Sequence, residues 1–473
     1  MVTIRRSLTP AQLRAFIEEL TGLVGSEHVL VDEDVAAGYL VDWTGRFGGP
    51  AVAVVRPANR DEVVSVVLAC AAAAVDIVTQ GGNTGLVGGG VPRRPEADVG
   101  PVVVLSTRRL DLIGDIDGAA RNVLVGAGAT LAAVQSAARV YGFDVGVDLG
   151  ARDGATIGGM VATNAGGIHV VAHGTMRAQV AGIEAVMANG AVVSRLAGLD
   201  KDAAGYDLPG LLCGSEGTLG IITAIRLRLV DRPAARVTAL LGVATTNDAV
   251  AVLGRLRAAL PGLEAVEACW ADGLWLVRDA LGVALPLDAA TPVVLTIEVG
   301  APASGAPRLL DEVSEAVLAC PEVIGSAAAS DAAGRARLWA LRERHTEAIQ
   351  TLGVPHKLDV GVPVARLASF EAAVRARVAD VAPAATCVVF GHLGDGNLHV
   401  NIVGPPDDDE AVDAAVLDVV AAHGGTVSAE HGIGVAKTAW LCLCRDAADI
   451  AAMRAIKQAL DPIGLLNPGV IFE

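Results

Sequence analysis

The 473-residue chain is 52% hydrophobic and 19% charged, which excludes a disordered protein and allows two or three domains. Its net charge of −17 argues against nucleic acid or an anionic membrane as a general partner. The seven cysteines form no Cys-x-x-Cys pair, no signal-peptide pattern opens the chain, and no apolar run reaches the roughly 18 residues of a membrane span. We therefore expect a cytoplasmic protein without a transmembrane segment.

The first part of the chain reads as a helix followed by alternating strands and helices. Thr9-Pro10 is a helix start, and apolar residues from Leu13 to Leu20 recur at helical spacing. Residues 51–55 and 75–79 have strand composition, and the stretch between them, 59–74, has a helical pattern with acidic residues at its start.

Three tracts rich in glycine and other small residues interrupt this part of the chain. They cover residues 80–90, 148–167 and 214–223. Successive backbone N–H groups in such tracts can cradle phosphate. The first tract matches neither the dinucleotide-binding GxGxxG nor a P-loop, and a flexible surface turn is its alternative reading. Because strands space the three tracts, we expect backbone wrapped along one long ligand, for which a dinucleotide is the natural candidate.

Residues 234 to about 425 alternate strands with alanine-rich helices. Residues 338–347 have a helical pattern that places Arg342 and Thr346 four residues apart on one face, and Lys357 follows in a strand-like stretch. Near the end of the chain, residues 447–460 form another predicted helix.

A hairpin is predicted around Asp395-Gly396, a dipeptide typical of a two-residue type I′ turn. Counting outward from that turn places His392 opposite His399, with Asn401 on the same face as His399. Two imidazoles and an amide oxygen would then converge, and imidazole is a ligand for zinc, iron and other divalent metals. The alternative is a hairpin with two surface histidines.

A carboxylate and a further histidine occur downstream, within Ser428-Ala-Glu-His-Gly-Ile-Gly434. Glu430 could complete the metal set. If this segment is extended, His431 points elsewhere and is available as a general base. Taken alone, the segment reads equally as a capped loop.

These motifs together are specific. The sequences GGNTGLVGG, ATNAGG and SEGTLG resemble the FAD-binding domain of the vanillyl-alcohol-oxidase type flavoproteins. GHLGDGNLHVN and AEHGIG resemble the C-terminal domain of the D-2-hydroxyacid dehydrogenase branch, which includes enzymes for D-2-hydroxyglutarate, D-lactate and glycolate. The resemblance covers nearly the whole chain. It implies an α+β fold with a two-part FAD-binding domain and an antiparallel-sheet cap domain that binds the substrate.

The resemblance also implies domain boundaries and a flavin site. We expect a helical segment at 1–48, the FAD domain at 49–232, the cap domain at 233–425 and a returning segment at 426–473. The FAD is expected to be non-covalent, because the first tract has no His or Cys. The implied FAD-binding residues are Gly81, Gly82, Asn83, Thr84, Gly85, Leu86, Ala155, Thr156, Gly159, Thr163, Asn164 and Ile222.

By the same resemblance, His392, His399 and Glu430 hold a divalent metal, which we expect to be zinc, with iron or manganese as alternatives. Asn401 lies beside the metal, His431 is the base, and Arg342, Thr346 and Lys357 bind the substrate. The implied reaction removes the hydroxyl proton and transfers the α-hydrogen as hydride to flavin N5. The alternatives for Arg342 and Lys357 are exposure to solvent, pairing with Glu343 or Glu347, or an Arg342 that binds the carboxylate held by the metal.

Arg342 and Lys357 favour a substrate with two carboxylates, so we rank D-2-hydroxyglutarate, or D-malate, above D-lactate and glycolate. A flavin-free metallohydrolase is the hypothesis from another class. We expect an electron-transfer flavoprotein, a quinone or a cytochrome as acceptor, and a homodimer. Two stretches depart from the family: Ala172-His173-Gly174 replaces the usual Arg-Tyr-Gly, and Val470 replaces the usual lysine, which leaves the local flavin contacts open.

Overall fold

The computed structural model describes residues 8–94, 100–288, 290–406 and 409–472. These residues divide into two compact units. The first comprises residues 8–165, 175–231 and 430–472, and the second comprises residues 166–174 and 232–429. Both units combine helices with antiparallel β-structure, and the first also contains parallel strands. The predicted α+β class is confirmed.

The described strands range in length from two residues to nine. In chain order they are β1 (Val29–Leu30), β2 (Ala53–Val55), β3 (Asp76–Gln80), β4 (Val102–Ser106), β5 (Ile113–Asp117), β6 (Asn122–Gly126), β7 (Phe143–Asp144), β8 (Val180–Val186), β9 (Val192–Arg195), β10 (Ile221–Arg228), β11 (Val230–Asp231), β12 (Ala235–Val243), β13 (Leu263–Trp270), β14 (Val293–Ala301), β15 (Val323–Ala329), β16 (Pro355–Gly361), β17 (Thr386–His392) and β18 (Asn397–Val403).

Most of the helices follow a Thr, Asp or Asn whose side chain accepts a hydrogen bond from the first turn. None of the described helices combines the length and apolar character needed to cross a membrane. The helices are α1 (Pro10–Val24), α2 (Glu33–Leu40), α3 (Arg60–Ala73), α4 (Leu131–Arg139), α5 (Ile157–Thr163), α6 (Val170–His173), α7 (Met176–Gln179), α8 (Leu208–Leu212), α9 (Thr246–Ala259), α10 (Ala271–Leu281), α11 (Leu309–Leu318), α12 (Ala332–Glu343), α13 (His345–Gln350), α14 (Leu367–Val381), α15 (Glu410–Ala422) and α16 (Ala447–Leu460).

The first unit contains two larger sheets. In one, β2, β4 and β3 run parallel, and β1 pairs antiparallel with β2. The other is antiparallel, in the order β5-β6-β10-β8-β9. Fully buried side chains from both sheets, among them Ile77, Leu105, Ile183 and Ile225, belong to one hydrophobic core.

The second unit is built on one seven-stranded antiparallel sheet in the order β15-β12-β14-β13-β17-β18-β16. A hydrophobic cluster on one of its sides joins strand residues such as Leu240, Val294 and Phe390 to side chains of α10, α12 and α13. Neighbours in this sheet are often far apart in sequence, so the fold brings together residues that no local pattern connects.

Several local predictions are confirmed. The predicted helix start at Thr9-Pro10 is a capping box, in which Thr9 and Gln12 exchange hydrogen bonds and α1 begins at Pro10. The predicted strand, helix and strand between residues 51 and 79 are β2, α3 and β3, and the predicted helix at 447–460 is α16.

Candidate active site

One side of the seven-stranded sheet collects most of the polar residues that the sequence singled out. Opposed residues of neighbouring antiparallel strands point to the same side. The register pairs His392 with Asn397 on β18, and continuing the β13–β17 register by one residue brings Glu267 opposite His392. The next two rows on this side, which we call the polar face, contain Asp359, His399, Phe390 and Cys269, and then Lys357, Asn401 and Val388.

The hairpin between β17 and β18 has a four-residue turn, not the predicted two-residue turn. His392 pairs with Asn397 and His399 with Phe390, so the predicted opposition of the two histidines is wrong. Gly396 has φ +83°, but Asp395 has no positive φ, whereas a type I′ turn needs one at both central residues. The predicted register is wrong by two residues. Because side chains alternate sides along a strand, a shift by an even number of residues leaves both histidines on the same side of the sheet.

The two histidines lie together, with ring centroids 5.2 Å apart. His392 Nδ1 is 2.6 Å from Glu267 Oε1, and His399 Nδ1 is 3.7 Å from Asp359 Oδ1. In both rings Nδ1 therefore faces a carboxylate, and Nε2 is the nitrogen that points away from it. Metal-binding histidines are typically oriented in this way, so these donors fit a divalent metal such as zinc, iron or manganese.

Glu267 is fully buried and accepts hydrogen bonds from two sides. Arg342 Nε donates to its Oε2 at 2.6 Å, while His392 occupies its Oε1. Burial alone would raise the pKa of Glu267, but the charges and hydrogen bonds of His392 and Arg342 outweigh burial and lower the pKa to about 2. The Glu267 side chain is therefore ionised and accepts hydrogen bonds on the polar face.

The helix predicted from 338 to 347 is interrupted just after Arg342. Helix α12 ends one residue beyond Arg342, and α13 begins at His345. Arg342 and Thr346 therefore do not share one helical face, and that prediction is wrong. The break turns His345 into the core, where its ring lies 4.9 Å from the ring of Phe390. Both ring nitrogens of His345 are buried there without a hydrogen-bond partner among the described residues.

Arg342 is held over the polar face by two contacts. Its guanidinium lies 4.6 Å from the centroid of the Phe390 ring, and its Nε is bound by Glu267. Nη1 and Nη2 have no protein acceptor among the described residues. The alternative pairing of Arg342 with Glu347 does not occur, because Glu347 pairs with Arg344.

Lys357 lies opposite Asn401 on β16, the edge strand of the sheet. Its side chain is exposed, yet surrounding protein removes part of the water around the ammonium, and this desolvation lowers its pKa. Lys357 has no ion-pair partner in the part of the chain that the structure describes. Asn401 is buried and donates to the carbonyl of His399 at 3.3 Å. Thr346 is exposed on α13.

A second polar cluster lies on the same side of the sheet, around Glu298 of β14. Glu298 accepts from Trp339 Nε1 and Thr238 Oγ1, both at 2.9 Å. His169, Glu264 and Glu298 offer ligand atoms within 4.8 Å of one another. However, Arg236 lies 2.7 Å from Glu264 and 3.6 Å from Glu298, so the carboxylates already neutralise a cation. We call this ion-pair cluster the Glu298 network.

In the first unit, the three glycine-rich tracts meet. A Cβ atom at Gly81 would lie 2.3 Å from Thr156 Oγ1, and one at Gly82 would lie 1.9 Å from the carbonyl oxygen of Gly154. The third tract joins the second through backbone hydrogen bonds from Gly214 to Val161 (2.9 Å) and from residue 216 to residue 162 (2.8 Å). The predicted convergence of these tracts is therefore observed.

The first tract also fits a ligand that approaches its backbone closely. Asn83 has φ +55° and donates from its side chain to the carbonyls of Gly38 and Val41. Gly85 has neither a positive φ nor an atom within 4 Å of where its Cβ would be, so protein packing does not explain a glycine there. Thr84 and Leu86 flank it, and both are half-buried.

The second tract supplies the N-terminus and the end of α5. Thr156 caps the helix by accepting from Gly159 N at 3.3 Å, next to the buried Ala155. Thr163 donates back to the carbonyl of Gly159, and Asn164 ends the helix in the left-handed region. Ile222 lies in the hydrophobic core on β10, and its role near the adenosine stays a prediction.

Glu430 and His431 belong to the first unit and lie in a bend rather than in an extended segment. The bend is anchored by Glu216 of the third tract, whose carboxylate accepts from the backbone N–H groups of Ile433 and Gly434, both at 2.8 Å. Burial raises the pKa of Glu216, and these two hydrogen bonds offset the rise only in part. Gly432 has φ +84°, and a Cβ there would lie 2.9 Å from the Glu216 carboxylate, which explains the glycine.

Sequence reasoning missed three carboxylates that contact candidate site residues or the backbone next to them: Glu267, Asp359 and Glu216. A signal existed for two of them. Glu267 lies in Leu263-Glu-Ala-Val-Glu-Ala-Cys-Trp270 and Asp359 in Pro355-His-Lys-Leu-Asp-Val-Gly361, and a buried carboxylate in a strand requires a partner. The sequence does not reveal the partner, because His392 lies 125 residues beyond Glu267.

Two family models match the chain. The FAD binding domain covers residues 51–195, and the C-terminal domain of FAD linked oxidases covers residues 232–471, just over half of the chain. The chain belongs to the FAD-linked oxidase family. FAD, the predicted cofactor, is confirmed by these matches.

Curated relatives narrow the family further. The D-2-hydroxyglutarate dehydrogenase of Xanthomonas citri pv. viticola is 38% identical over 91% of this chain and 91% of its own. The mitochondrial enzyme of that name from Bos taurus is 35% identical over 93% of this chain and 80% of its own. The relative from Stutzerimonas stutzeri is 33% identical over 97% and 99%. The predictions of the D-2-hydroxyacid dehydrogenase branch and of an FAD-linked dehydrogenase are confirmed.

Solved structures of low sequence identity support the fold. p-Cresol methylhydroxylase matches with a TM-score of 0.76 at 16% identity, over 98% of this chain and 97% of its own. Alkyldihydroxyacetonephosphate synthase matches with a TM-score of 0.73 at 16% identity, over 96% and 84%. The predicted vanillyl-alcohol-oxidase type fold is therefore confirmed. The metal, the cytoplasmic location, the homodimer and the electron acceptor stay predictions.

Proposed function

We propose that this protein oxidises D-2-hydroxyglutarate to 2-oxoglutarate with FAD and a divalent metal, zinc in the first instance. The observation that carries the proposal is the polar face of the second unit. It presents two histidines whose Nδ1 atoms face carboxylates, beside two cations, Arg342 and Lys357, that keep donors for a ligand. The relatives named D-2-hydroxyglutarate dehydrogenase support the same substrate.

The two bound groups would supply the chemistry that side chains lack. FAD, held by the three glycine-rich tracts, supplies a two-electron acceptor for the hydrogen on the substrate's α-carbon. A metal held by His392, His399 and Glu430 supplies a positive charge that polarises the substrate's oxygens.

The side chains of the polar face select and orient the substrate. Nη1 and Nη2 of Arg342 form the fork that suits a carboxylate, and stacking on Phe390 keeps that fork in one plane. Lys357 supplies a compact charge two residues along β16 from Asp359. A single substrate carboxylate cannot bind the metal, Arg342 and Lys357 at the same time. A second carboxylate on the substrate would pair with the cation that is otherwise left without a counter-charge.

The proton of the substrate hydroxyl goes to His431 in this proposal. Glu216 supports that role, because it fixes the backbone two and three residues after His431, at Ile433 and Gly434. A base whose backbone is held in this way loses little entropy when it meets the substrate, which is how positioned bases gain their efficiency.

D-lactate and glycolate are the competing substrates. They become favoured if Arg342 binds the same carboxylate as the metal, because Lys357 then contributes nothing. A metallohydrolase without flavin, the hypothesis from another class, is disfavoured because the chain belongs to a family of FAD-linked oxidases.

The purified holoenzyme should be yellow and should reduce a dye acceptor with D-2-hydroxyglutarate. A panel of D-2-hydroxyglutarate, D-malate, D-lactate and glycolate, compared by kcat/KM, ranks the substrates directly. A higher kcat/KM for D-lactate than for D-2-hydroxyglutarate would reject the proposed substrate, and a protein without bound flavin would reject the proposed chemistry.

Metal dependence needs a separate experiment. Chelation should abolish oxidation while the flavin absorbance of the protein stays unchanged, and addition of zinc, manganese or iron(II) should restore activity. Because the histidine ligands must be deprotonated to bind, metal affinity should fall as the pH is lowered. Full turnover by protein shown to be metal-free would refute the metal.

A further inference from the structure

We propose that Glu267 is a positioning residue that fixes both the metal ligand His392 and the substrate-binding Arg342 through one carboxylate. This inference rests on the proposed function, because it takes its roles for His392 and Arg342 from there. Glu267 itself touches neither substrate nor metal. It acts on two groups that do.

The geometry of Glu267 is that of a bridge. The residue projects from β13 to the polar face and has no exposed surface. One carboxylate oxygen lies 2.6 Å from His392 Nδ1, and the other accepts from Arg342 Nε at 2.6 Å. His392 comes from β17 and Arg342 from α12. The side chain of Glu267 therefore links a strand of the sheet to the helix that packs on it.

For His392, the contact selects the tautomer and the ring orientation. A carboxylate accepts hydrogen bonds, so Nδ1 carries the hydrogen and Nε2 offers its lone pair on the other side of the ring. Such a partner also raises the basicity of a metal ligand, and its loss typically costs about 10–100-fold in metal affinity or activity.

For Arg342, the contact selects which donors remain. Glu267 occupies Nε, and the Phe390 ring 4.6 Å below the guanidinium restricts its tilt. Nη1 and Nη2 are then the two donors that a ligand can use. The orientation of the guanidinium plane is already fixed before a ligand binds. Pre-set donors bind with a smaller loss of side-chain entropy.

Glutamine at this position keeps the size of Glu267 but not its function. Its amide has one oxygen acceptor and one NH₂ donor. It therefore accepts from either His392 or Arg342 and turns the NH₂ group toward the other. Glu267→Gln should disturb the metal ligand, the arginine or both, while the packing of β13 stays intact.

Glu298→Gln is a matched control. Glu298 is a buried glutamate on the neighbouring strand, on the same side of the sheet, and it too accepts a hydrogen bond from α12, through Trp339. Among the described residues, Glu298 makes no hydrogen bond or ion pair with His392 or Arg342. A loss of function that arises merely from removing a buried charge under α12 would appear in both variants.

The test measures metal affinity of the full-length, FAD-loaded protein by zinc competition with a chromophoric chelator, in the absence of substrate. We expect zinc to bind about 10–100-fold more weakly to Glu267→Gln than to wild type. Glu298→Gln should bind zinc within twofold of wild type, and both variants should retain FAD. Equal zinc affinities of Glu267→Gln and wild type would overturn the metal half of the proposal.

A double-mutant cycle with Arg342→Met tests the other half through KM for the preferred substrate. Arg342→Met alone should raise KM and leave zinc affinity near that of wild type. Adding Glu267→Gln to Arg342→Met should raise KM less than adding it to wild type, because the two residues act through one contact. Additive effects on KM would overturn the coupling to Arg342.

The two proposals can fail separately. A wild type that binds zinc but prefers another substrate rejects the proposed substrate, while the zinc affinities and the KM cycle still judge Glu267. A wild type that oxidises D-2-hydroxyglutarate with zinc, together with an unchanged Glu267→Gln, rejects only the inference about Glu267.

Discussion

Two polar clusters on the same side of one sheet have opposite characters. In the Glu298 network, the carboxylate is surrounded by donors from Trp339, Thr238 and Arg236, and it neutralises the charge near it. Around His392 and His399, the carboxylates of Glu267 and Asp359 each face Nδ1 of a ring, and Arg342, which donates its Nε to Glu267, keeps both Nη groups for a ligand. Both clusters contain a buried glutamate bound by α12, so burial and charge alone do not mark a site.

The difference lies in what each cluster leaves over. In the Glu298 network the cations Arg236 and Arg335 each lie against a carboxylate, and charges paired in this way stabilise the fold or are neutral. A cluster with excess donors costs stability until a ligand arrives. The second arrangement is what a binding site requires, and each experiment below tests whether the two clusters truly differ.

The largest contrast is expected between His392→Ala and His169→Ala. Loss of His392 should remove the metal, and because Lewis-acid stabilisation is worth several kcal/mol, turnover should fall by about a thousandfold or more. His169, in the Glu298 network, should have no effect on metal content. Elemental analysis of both purified variants measures this, and metal loss in His169→Ala would mean that the Glu298 network is a metal site after all.

His431→Ala should separate the base from the metal ligands. Removal of a general base costs roughly 10²–10⁴ in rate. Unlike His392→Ala, this variant should keep its metal, so metal content and kcat should move independently. If elemental analysis finds the metal site of His431→Ala empty, the ligand and the base have been assigned the wrong way round.

Acid should weaken the Glu298 network in a defined range. Burial would raise the pKa of Glu298, but the His169 ring, Trp339 and Arg236 outweigh it and lower the pKa from 4.5 to about 2. A lowered carboxylate pKa contributes stability above the unfolded value of 4.5 that is lost as the pH falls through about 2. The full contribution corresponds to roughly 3 kcal/mol.

Urea unfolding of wild type and Glu298→Gln measures that contribution. The wild type should be more stable at pH 7, and the difference between the two proteins should shrink steadily below about pH 4.5. A difference that does not change with pH would show that the carboxylate's charge contributes nothing and that the network is not an ion-pair cluster.

The sequence predicted the parts of this site that local patterns encode. The strands of the hairpin and the shared face of His399 and Asn401 follow from period-2 alternation, and even the wrong turn length kept His392 on that face. Glu267 was invisible because β13 and β17 pair across more than a hundred residues. The helix break after Arg342 was invisible too, because it depends on burying His345 against Phe390.

The smallest effect is expected at Lys357, and it decides the substrate. Lys357→Met keeps the length and apolar stem of the side chain and removes its charge. If Lys357 binds a distal carboxylate, the loss of one charged hydrogen bond costs about 1.5–3 kcal/mol, or roughly 10–100-fold in kcat/KM for D-2-hydroxyglutarate. D-Lactate, which has no distal carboxylate, serves as the internal control and should change by less than about threefold.

The structure makes this comparison a sharp one. Lys357 lies on the edge strand with no ion-pair partner among the described residues, so its replacement breaks no ion pair there and should not alter the fold. Its pKa is lowered by desolvation alone, and a bound carboxylate would reverse that shift by favouring the charged ammonium. Equal losses of kcat/KM for the two substrates would show that Lys357 contributes only to the overall positive potential of the polar face and binds no distal carboxylate. The two-carboxylate substrate would then be rejected, while the roles of His392, Glu267 and Arg342 would stand on their own experiments.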